Sequence, residues 1–298
     1  MSGPAVVIHG GAGSALDDDV RERNVRTALE GILDELWSEL RDGKPATVIA
    51  ESGCEKLEDC PYFNAGRGSK IQGDGSIRMS AGLMDGQRRA FSGVINVEEV
   101  KNPIEIARHL QTEDDRVVDG RGAAVVARQM SLPVFDPMVE RRFERWVDEV
   151  RRRRLGDETS GQTVPEPAPG TGTVGVVVRD DQGRLSASTS TGGRGHERVG
   201  RVSDTATVAG NYATASGAVS CTGTGEDIVD EALAARIVVR MDGGTAMAEA
   251  IRRAFDDAIG DRRMAAVVVD ADGEMDWEKT TEVLLAVGRN AGGMRWAF

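Results

Sequence analysis

One threonine in this sequence is placed where it could become a nucleophile that carries its own base. Thr173 follows Gly172 and precedes the apolar run VGVVV, so it stands at the start of a predicted buried strand. An internal threonine hydroxyl is a weak nucleophile, whereas an N-terminal threonine also has an α-amine of pKa roughly 7.7 to 8.0 that can accept the hydroxyl proton. Cleavage before Thr173 would create this pair, although β-branched residues also begin strands for packing alone.

The segment before Thr173 has the composition of a linker. Residues 155–172 read LGDETSGQTVPEPAPGTG, which is rich in Gly, Pro, Ser and Thr and has no apolar period. A buried strand directly after a flexible linker is what a maturation site would look like. This position favours the nucleophile interpretation of Thr173 over the packing interpretation.

The apolar periodicity predicts strands and helices in both halves of the chain. Strands at the ends of each half, with helices between them, favour stacked sheets covered by helices. The predicted helices cover residues 17–40, 46–57, 103–110, 122–129, 138–154, 226–241 and 245–259. The predicted strands cover residues 5–8, 69–72, 76–81, 91–97, 173–178, 184–191, 208–212, 217–221, 265–270 and 283–287.

Two glycine-containing stretches lie beside predicted elements. The loop HGGAG, which begins at His9, matches neither GxGxxG nor a P-loop with its lysine, so a tight turn is favoured over a nucleotide site.

Thr222 lies at a predicted strand-to-helix turn, where unpaired backbone N–H groups can stabilise negative charge.

Composition excludes several classes of function. The chain has 298 residues, of which 40% are hydrophobic, and 49 acidic against 37 basic residues give a net charge of -12. An acidic surface disfavours nucleic-acid and anionic-membrane partners. No apolar run approaches the roughly 20 residues that span a bilayer, and Met1 leads directly into a strand, so we expect no membrane partner and a cytoplasmic location.

Cysteine and histidine usage points away from metal chemistry. The three histidines form no HExxH pair, and the three cysteines have no CxxC spacing, so we expect reduced thiols and no transition-metal centre. These residues are His9, His109, His196, Cys54, Cys60 and Cys221.

Seven motifs in order along the chain carry a resemblance to one family. The sequence resembles the plant-type asparaginase and isoaspartyl peptidase family of N-terminal nucleophile hydrolases. The matching stretches are HGGAG at 9–13, LEDCPYFNAGRGS at 57–69, MDG at 84–86, GTVG at 172–175, TSTGG at 189–193, GRVSD at 200–204 and TGTGE at 222–226.

The resemblance implies a fold and a maturation route. The fold would be α+β, a four-layer αββα sandwich of the N-terminal nucleophile hydrolase type. Autocleavage between Gly172 and Thr173 would give an α part, residues 1–172, that ends in the flexible linker 155–172, and a β part, residues 173–298. Both parts would form one domain, and two such αβ units would pair as a homodimer.

The resemblance also implies a reaction without a catalytic cofactor. Thr173 would attack the side-chain carbonyl of L-asparagine or of a β-aspartyl dipeptide and form an acyl-enzyme that water hydrolyses. A glycosylasparaginase-like amidohydrolase, or an unprocessed ligand-binding protein of the same fold, are the alternatives.

Further site residues follow by position in the motifs. Thr191 would hydrogen-bond the nucleophile, and the Thr222 hydroxyl and Gly223 N–H would form the oxyanion hole. Asn64 would reach the site from the α part. Arg201 would bind the substrate α-carboxylate and Asp204 its α-ammonium. Without the surrounding motifs, Thr191 would be interpreted as a threonine at a strand end, and Arg201 and Asp204 as solvated charges in a polar loop.

The same resemblance implies a structural ion and shows two departures. The loop would wrap a sodium ion with the backbone carbonyls of Leu57, Glu58, Cys60, Phe63 and Ala65, a suitable ligand set for a hard cation. The sequence departs from the family pattern at Ser80, where the family has Asp before Ala, and at Ser203, which replaces the glycine of GRVGD.

Overall fold

Two β-sheets form the frame of the molecule, in a computed structural model that describes residues 3–16, 19–154 and 172–297. The fold is mixed α+β. Of the predicted linker 155–172, only Gly172 lies within the described residues.

The larger sheet has eight strands in the order β12-β11-β1-β5-β6-β2-β3-β4. Neighbours are antiparallel except for the parallel β3 and β4. Its strands are β1 (Ala5–Gly13), β2 (Met79–Asp85), β3 (Ala90–Val97), β4 (Val117–Asp119), β5 (Val174–Arg179), β6 (Leu185–Thr191), β11 (Val283–Asn290) and β12 (Gly293–Trp296).

The smaller sheet has four antiparallel strands in the order β10-β9-β8-β7. They are β7 (Asn211–Ala213), β8 (Gly217–Gly223), β9 (Met264–Asp270) and β10 (Met275–Lys279). The helices are α1 (Asp19–Arg41), α2 (Ala46–Asp59), α3 (Pro103–Leu110), α4 (Gly120–Gln129), α5 (Glu140–Arg154), α6 (Gly225–Asp230), α7 (Leu233–Asp242) and α8 (Met247–Asp256).

Strand β5 is buried on both faces, which explains its continuous apolar sequence. Val174, Val176 and Val178 belong to the apolar cluster that includes the inner faces of α1, α2 and α3. Val177 points the other way, into a second cluster with residues of β8 and β9 such as Ala218. Because side chains alternate along a strand, β5 lies between the helices and the smaller sheet.

A third apolar cluster lies on the far side of the smaller sheet. Val219 and Val268 point away from the larger sheet and pack against α7 and α8 through residues such as Ile237 and Ile251. These helices show the apolar stripe expected of a helix that lies on a sheet.

The predicted strands at residues 69–72 and 76–81 are wrong over most of their length, because the first described strand after α2 begins only at Met79. Side-chain donors from α5 hold residues 60–72 as a loop. Arg142 Nε donates to Gly68 O at 2.6 Å and Trp146 Nε1 to Gln72 O at 2.9 Å. The carbonyls of Gly68 and Gln72 are therefore satisfied without a strand partner.

The helix predicted over residues 226–241 is broken into α6 and α7. Ala232 lies between them in the left-handed region, with φ 45°. The N–H groups of Ala234 and Ala235 donate to the carbonyls of Ala209 and Val208, at 3.0 and 3.2 Å. Since these donors bond to a neighbouring loop, the helix restarts at Leu233. The short strands β4, β10 and β12 were not predicted from the sequence.

Within the described part of the chain, the helices are too short or too polar to cross a lipid bilayer.

A glycine in α2 provides a test of how tightly this helix packs on β5. A Cβ at Gly53 would lie 2.7 Å from Leu36 Cδ1 and 2.9 Å from Val176 Cγ2, and both neighbours are fully buried. We expect Gly53→Ala to destabilise the protein, because overpacking costs about 1–3 kcal/mol and exceeds the ~1 kcal/mol gain in helix propensity. Urea unfolding measures the difference.

The matched control is Gly31→Ala. Gly31 is exposed in α1, and no atom lies within 4 Å of its would-be Cβ. This substitution should stabilise the protein by about 1 kcal/mol. Equal effects of the two substitutions would contradict the close packing of α2 on β5.

Candidate active site

The pairing of β5 with β6 brings two predicted residues together. Val174 pairs with Ser190 in the antiparallel register, so the start of β5 lies beside the end of β6. Thr173 Oγ1 donates to Thr191 Oγ1 between these two strand ends at 3.1 Å. Thr191 is buried, and its Oγ1 also accepts from the Gly193 N–H at 3.2 Å.

The peptide bond between Gly172 and Thr173 lies inside the same site. Gly172 N donates to Gly10 O at 3.3 Å, and Gly172 O accepts from the Asn64 N–H at 3.3 Å. A Cβ at Gly172 would lie 3.3 Å from Thr222 Oγ1. The Thr173 hydroxyl belongs to the residue that follows the Gly172 carbonyl. The junction therefore places a hydroxyl nucleophile next to a carbonyl group that accepts one N–H donor, from Asn64.

Asn64 is next to the junction through its main chain, while its side chain organises the loops around it. Its Nδ2 donates to Gly193 O at 2.6 Å, and its Oδ1 accepts from Lys70 N at 2.9 Å. Gly192 N donates to Asn64 O at 2.9 Å. Asn64 therefore joins the loop after α2 to the loop after β6.

Thr222 and Gly223 end β8 on the side of the site. Thr222 is buried, and its Oγ1 has no hydrogen-bond partner among the described residues. Gly223 has φ 140°, and a Cβ there would lie 2.4 Å from Arg263 O. Only glycine fits this position without strain. The orphaned Thr222 hydroxyl is available to a ligand.

Arg201 and Asp204 lie close to each other on either side of a glycine. A Cβ at Gly225 would lie 2.7 Å from Arg201 Nη2 and 2.8 Å from Asp204 Oδ1. Asp204 is 3% exposed, and its Oδ2 has no partner among the described residues. Burial raises the pKa of Asp204 to about 7, and nearby Arg201 opposes this shift.

Glu226 holds the Arg201 guanidinium in a bidentate ion pair that sequence reasoning did not predict. Nε and Nη2 donate to its two carboxylate oxygens at 2.7 and 2.9 Å. The hydrogen bond from Arg201 lowers the pKa of Glu226 to about 2, so it is ionised near neutral pH. Its signal was present in the sequence, since Glu226 is the last residue of the TGTGE motif.

The structure accommodates Ser80 and Ser203, the two departures from the family pattern, in different ways. Ser80 Oγ accepts from the Asn96 N–H at 3.0 Å, and Asn96 Nδ2 donates to Arg201 O at 2.9 Å. Asn96 has φ 58°, so Ser80 supports a left-handed turn that in turn supports the Arg201 loop. Ser203 does not lie in the left-handed region, so its backbone accepts a residue other than glycine.

The loop after α2, where the sequence predicts a structural ion, brings its own carbonyl oxygens close to two of its glycines. A Cβ at Gly66 would lie 2.5 Å from Glu58 O, and one at Gly68 would lie 2.2 Å from Phe63 O. Only glycine allows these close approaches. Protein N–H groups already bond to the neighbouring carbonyls, since Arg67 N donates to Glu58 O at 2.8 Å and Gly68 N donates to Ala65 O at 3.2 Å. Arg142 Nη2 also donates to Phe63 O at 3.4 Å. Among the described residues, no group of three or more His, Cys, Asp or Glu side chains is arranged to hold a metal ion.

Comparison of the sequence with known proteins relates this chain to a family. The family model described as "Asparaginase" matches residues 2–297. A protein from Nostoc sp. named isoaspartyl peptidase/L-asparaginase is 46% identical over 288 residues, which cover 95% of this chain and 91% of that protein.

More distant relatives have similar names. A plant-type L-asparaginase from Pyrococcus horikoshii is 35% identical and covers 93% of each chain. An isoaspartyl peptidase/L-asparaginase from Macaca fascicularis is 36% identical and covers 83% of this chain and 80% of its own length. The chain therefore belongs to the asparaginase family of N-terminal nucleophile hydrolases.

Proposed function

We propose that the protein is a self-processed hydrolase of the side-chain amide of L-asparagine and of β-aspartyl dipeptides. Relatives that span nearly the whole chain are named isoaspartyl peptidase/L-asparaginase. The observation that carries the proposal is the 3.1 Å contact between Thr173 Oγ1 and Thr191 Oγ1 beside the orphaned hydroxyl of Thr222.

The buried charges fit the amino-acid end of such a substrate. A buried polar atom without a partner costs about 1–3 kcal/mol, and a substrate α-ammonium would supply the missing donor to Asp204 Oδ2. Arg201 would take the α-carboxylate, with Glu226 keeping its guanidinium in place. The leaving group of a β-aspartyl dipeptide extends from the opposite end, so both substrates can share this clamp.

The reaction follows from the groups around Thr173. The freed α-amine accepts the Oγ1 proton while Oγ1 attacks the side-chain carbonyl carbon. The Thr222 hydroxyl and the Gly223 N–H stabilise the oxyanion, and such a donor contributes about 2.7–4 kcal/mol in the transition state. The C–N bond breaks, the amine leaves with a proton, and water hydrolyses the ester on Thr173 to release L-aspartate.

Self-processing uses the same hydroxyl on a different carbonyl. Thr173 Oγ1 attacks the Gly172 carbonyl carbon and loses its proton, the peptide C–N bond breaks as the Thr173 nitrogen takes up a proton, and water hydrolyses the resulting ester to free the Gly172 carboxyl group. The Asn64 N–H on Gly172 O supports this assignment, since it can stabilise the developing negative charge. The products are an α part, residues 1–172, and a β part, residues 173–298.

We assign both parts to one four-layer αββα domain. The three apolar clusters support this, because they join α1 to α3, the larger sheet, the smaller sheet, and α7 with α8 in succession. By analogy with the family, two matured αβ units pair as a homodimer. The thiols of Cys54, Cys60 and Cys221 are unpaired, which suits a reducing compartment such as the cytoplasm.

Incubation of the purified chain tests the proposal. We expect two fragments whose masses place a new N-terminus at Thr173, together with release of ammonia from L-asparagine and of aspartate from β-aspartyl-leucine. Thr173→Ala should stay a single inactive chain because it lacks the nucleophile. Thr173→Ser keeps a hydroxyl and should still cleave.

A wild-type chain that stays uncleaved after prolonged incubation would instead support the ligand-binding alternative. Matured protein that releases neither ammonia nor aspartate would overturn the proposed reaction even if cleavage occurs.

The raised pKa of Asp204 predicts how ligand affinity depends on pH. The carboxyl group must be ionised to attract an ammonium, and its pKa near 7 means that it is protonated in more acidic solution. The dissociation constant of L-aspartate should therefore rise about tenfold per pH unit below pH ~7. Calorimetric titration between pH 5 and 8 measures this change.

Succinate is the matched control ligand, because it has both carboxylates of aspartate and no ammonium. Its affinity should not weaken on acidification from pH 8 to about 6.5, a range in which both of its carboxyl groups stay ionised. Asp204→Asn should remove the pH dependence that is specific to L-aspartate. Affinity for L-aspartate that is constant from pH 5 to 8 would contradict the role of Asp204.

We also propose that the loop after α2 binds a structural sodium ion through the carbonyls of Leu57, Glu58, Cys60, Phe63 and Ala65. A ligand that binds only the folded state stabilises it in proportion to the logarithm of its concentration. The melting temperature should therefore rise with sodium chloride more than with choline chloride at equal ionic strength. Coincident curves for the two salts would contradict a sodium site.

A further inference from the structure

Three residues lie side by side on the face of the larger sheet that meets the smaller sheet. In the registers of β1, β5 and β6, His9 pairs with Gly175, and Gly175 pairs with Thr189. Directly paired residues project from the same face of an antiparallel sheet. Because Gly175 has no side chain, the strand between His9 and Thr189 leaves room for a side chain from the other sheet.

Ser220 of the smaller sheet fills this space. Its Oγ lies 2.7 Å from His9 Nε2 and 3.0 Å from Thr189 Oγ1. A Cβ at Gly175 would lie 2.1 Å from Ser220 Oγ and 2.4 Å from His9 Nε2. The side chains of His9, Thr189 and Ser220 are all fully buried. The bond between His9 and Ser220 therefore joins the two sheets and requires glycine at position 175.

The other ring nitrogen of His9 faces the residue assigned as the nucleophile. His9 Nδ1 lies 3.1 Å from Thr173 O. A carbonyl oxygen only accepts, so Nδ1 carries the proton and Nε2 accepts from the Ser220 hydroxyl. Burial lowers the pKa of His9 to about 3, so the ring is neutral at physiological pH. Thr189 Oγ1 then donates to Ser220 Oγ.

We propose that His9 is a positioning residue that holds the Thr173 carbonyl through its Nδ1–H, with Ser220 and Thr189 anchoring its ring. The inference rests on the proposed function, in which Thr173 is the nucleophile. After cleavage, Thr173 is attached to the chain only through its carbonyl carbon. A fixed carbonyl direction therefore limits where its α-amine and Oγ1 can point, which preserves their geometry toward the substrate.

The HGGAG sequence, which was expected to form a turn, is the last part of strand β1, and it adds a second link to the junction. Gly10, the next residue, accepts from the Gly172 N–H. The end of β1 thus contacts both sides of the peptide bond that is cleaved. Only the His9 contact is on the side that remains attached to the nucleophile after cleavage.

Substitutions at His9 separate positioning from simple packing. The amide nitrogen of asparagine overlays Nδ1 of histidine and keeps a donor for Thr173 O, whereas the glutamine amide overlays Nε2 and does not. With kcat normalised to the measured concentration of free N-terminal Thr173, we expect His9→Gln to lower kcat for L-asparagine about tenfold more than His9→Asn. KM should change less than about twofold, because neither variant alters the Arg201 and Asp204 clamp.

Ser220→Ala should also lower kcat, by roughly threefold to tenfold, because the ring loses its anchor. Ser186→Ala is the matched control: Ser186 is a fully buried strand serine whose hydroxyl donates to Met84 O at 2.7 Å, away from His9. It should leave kcat unchanged even if stability falls. Equal kcat for Ser220→Ala and Ser186→Ala, or for the two His9 variants, would overturn the proposal.

Nitrogen-15 NMR of histidine-labelled protein provides a readout that is independent of activity. The chain has three histidines, so the His9 signals can be assigned from the His9→Asn spectrum. His9 should show the neutral Nδ1–H tautomer from pH 5 to 8. An Nε2–H tautomer, or titration within this range, would overturn the proposal. A wild-type protein without hydrolase activity would instead count against the proposed function, while the NMR result would still report on His9.

Discussion

Val174 pairs with Ser190 in the antiparallel register of β5 and β6, and this register determines where the Thr173 hydroxyl lies. A slip of one residue would turn the side chains of β5 to the opposite faces and separate Thr173 from Thr191. The register is held because the face of β5 toward the smaller sheet has room only for glycine at position 175, where a Cβ would lie 2.1 Å from Ser220 Oγ, while the valines fill the apolar clusters on both sides. The apolar core thus specifies the geometry of a polar site at the end of the strand.

The site retains buried polar atoms that the protein itself does not satisfy. Asp204 Oδ2 and Thr222 Oγ1 lack partners among the described residues, and each such group costs about 1–3 kcal/mol. Packing of three apolar clusters compensates for this cost in the folded protein. In the proposed reaction, the substrate ammonium and the oxyanion of the transition state would supply the missing partners, so the desolvation cost of the free site would be recovered on binding.

Glycine allows polar groups to approach each other at two points in the site. Gly175 leaves room for the bond between His9 and Ser220, and Gly225 leaves room between Arg201 and Asp204. Any side chain at these positions would separate the groups or displace a strand. Both glycines belong to the recognised motifs, GTVG and TGTGE, so these motifs combine reactive residues with the space that the reactive residues need.

The sequence by itself predicted the position of Thr173, most helices, the central strands and the family, because those depend on local periodicity and on ordered motifs. It failed at residues 69–72 and 76–78, which were predicted as strand and where Trp146 of a distant helix bonds to the carbonyl of Gln72, and at Ala232, where a neighbouring loop breaks a helix. Only the tertiary structure showed that Glu226 orients Arg201 and that His9 contacts Thr173. Such contacts join residues far apart in the chain, and local propensity contains no information about which distant groups will meet.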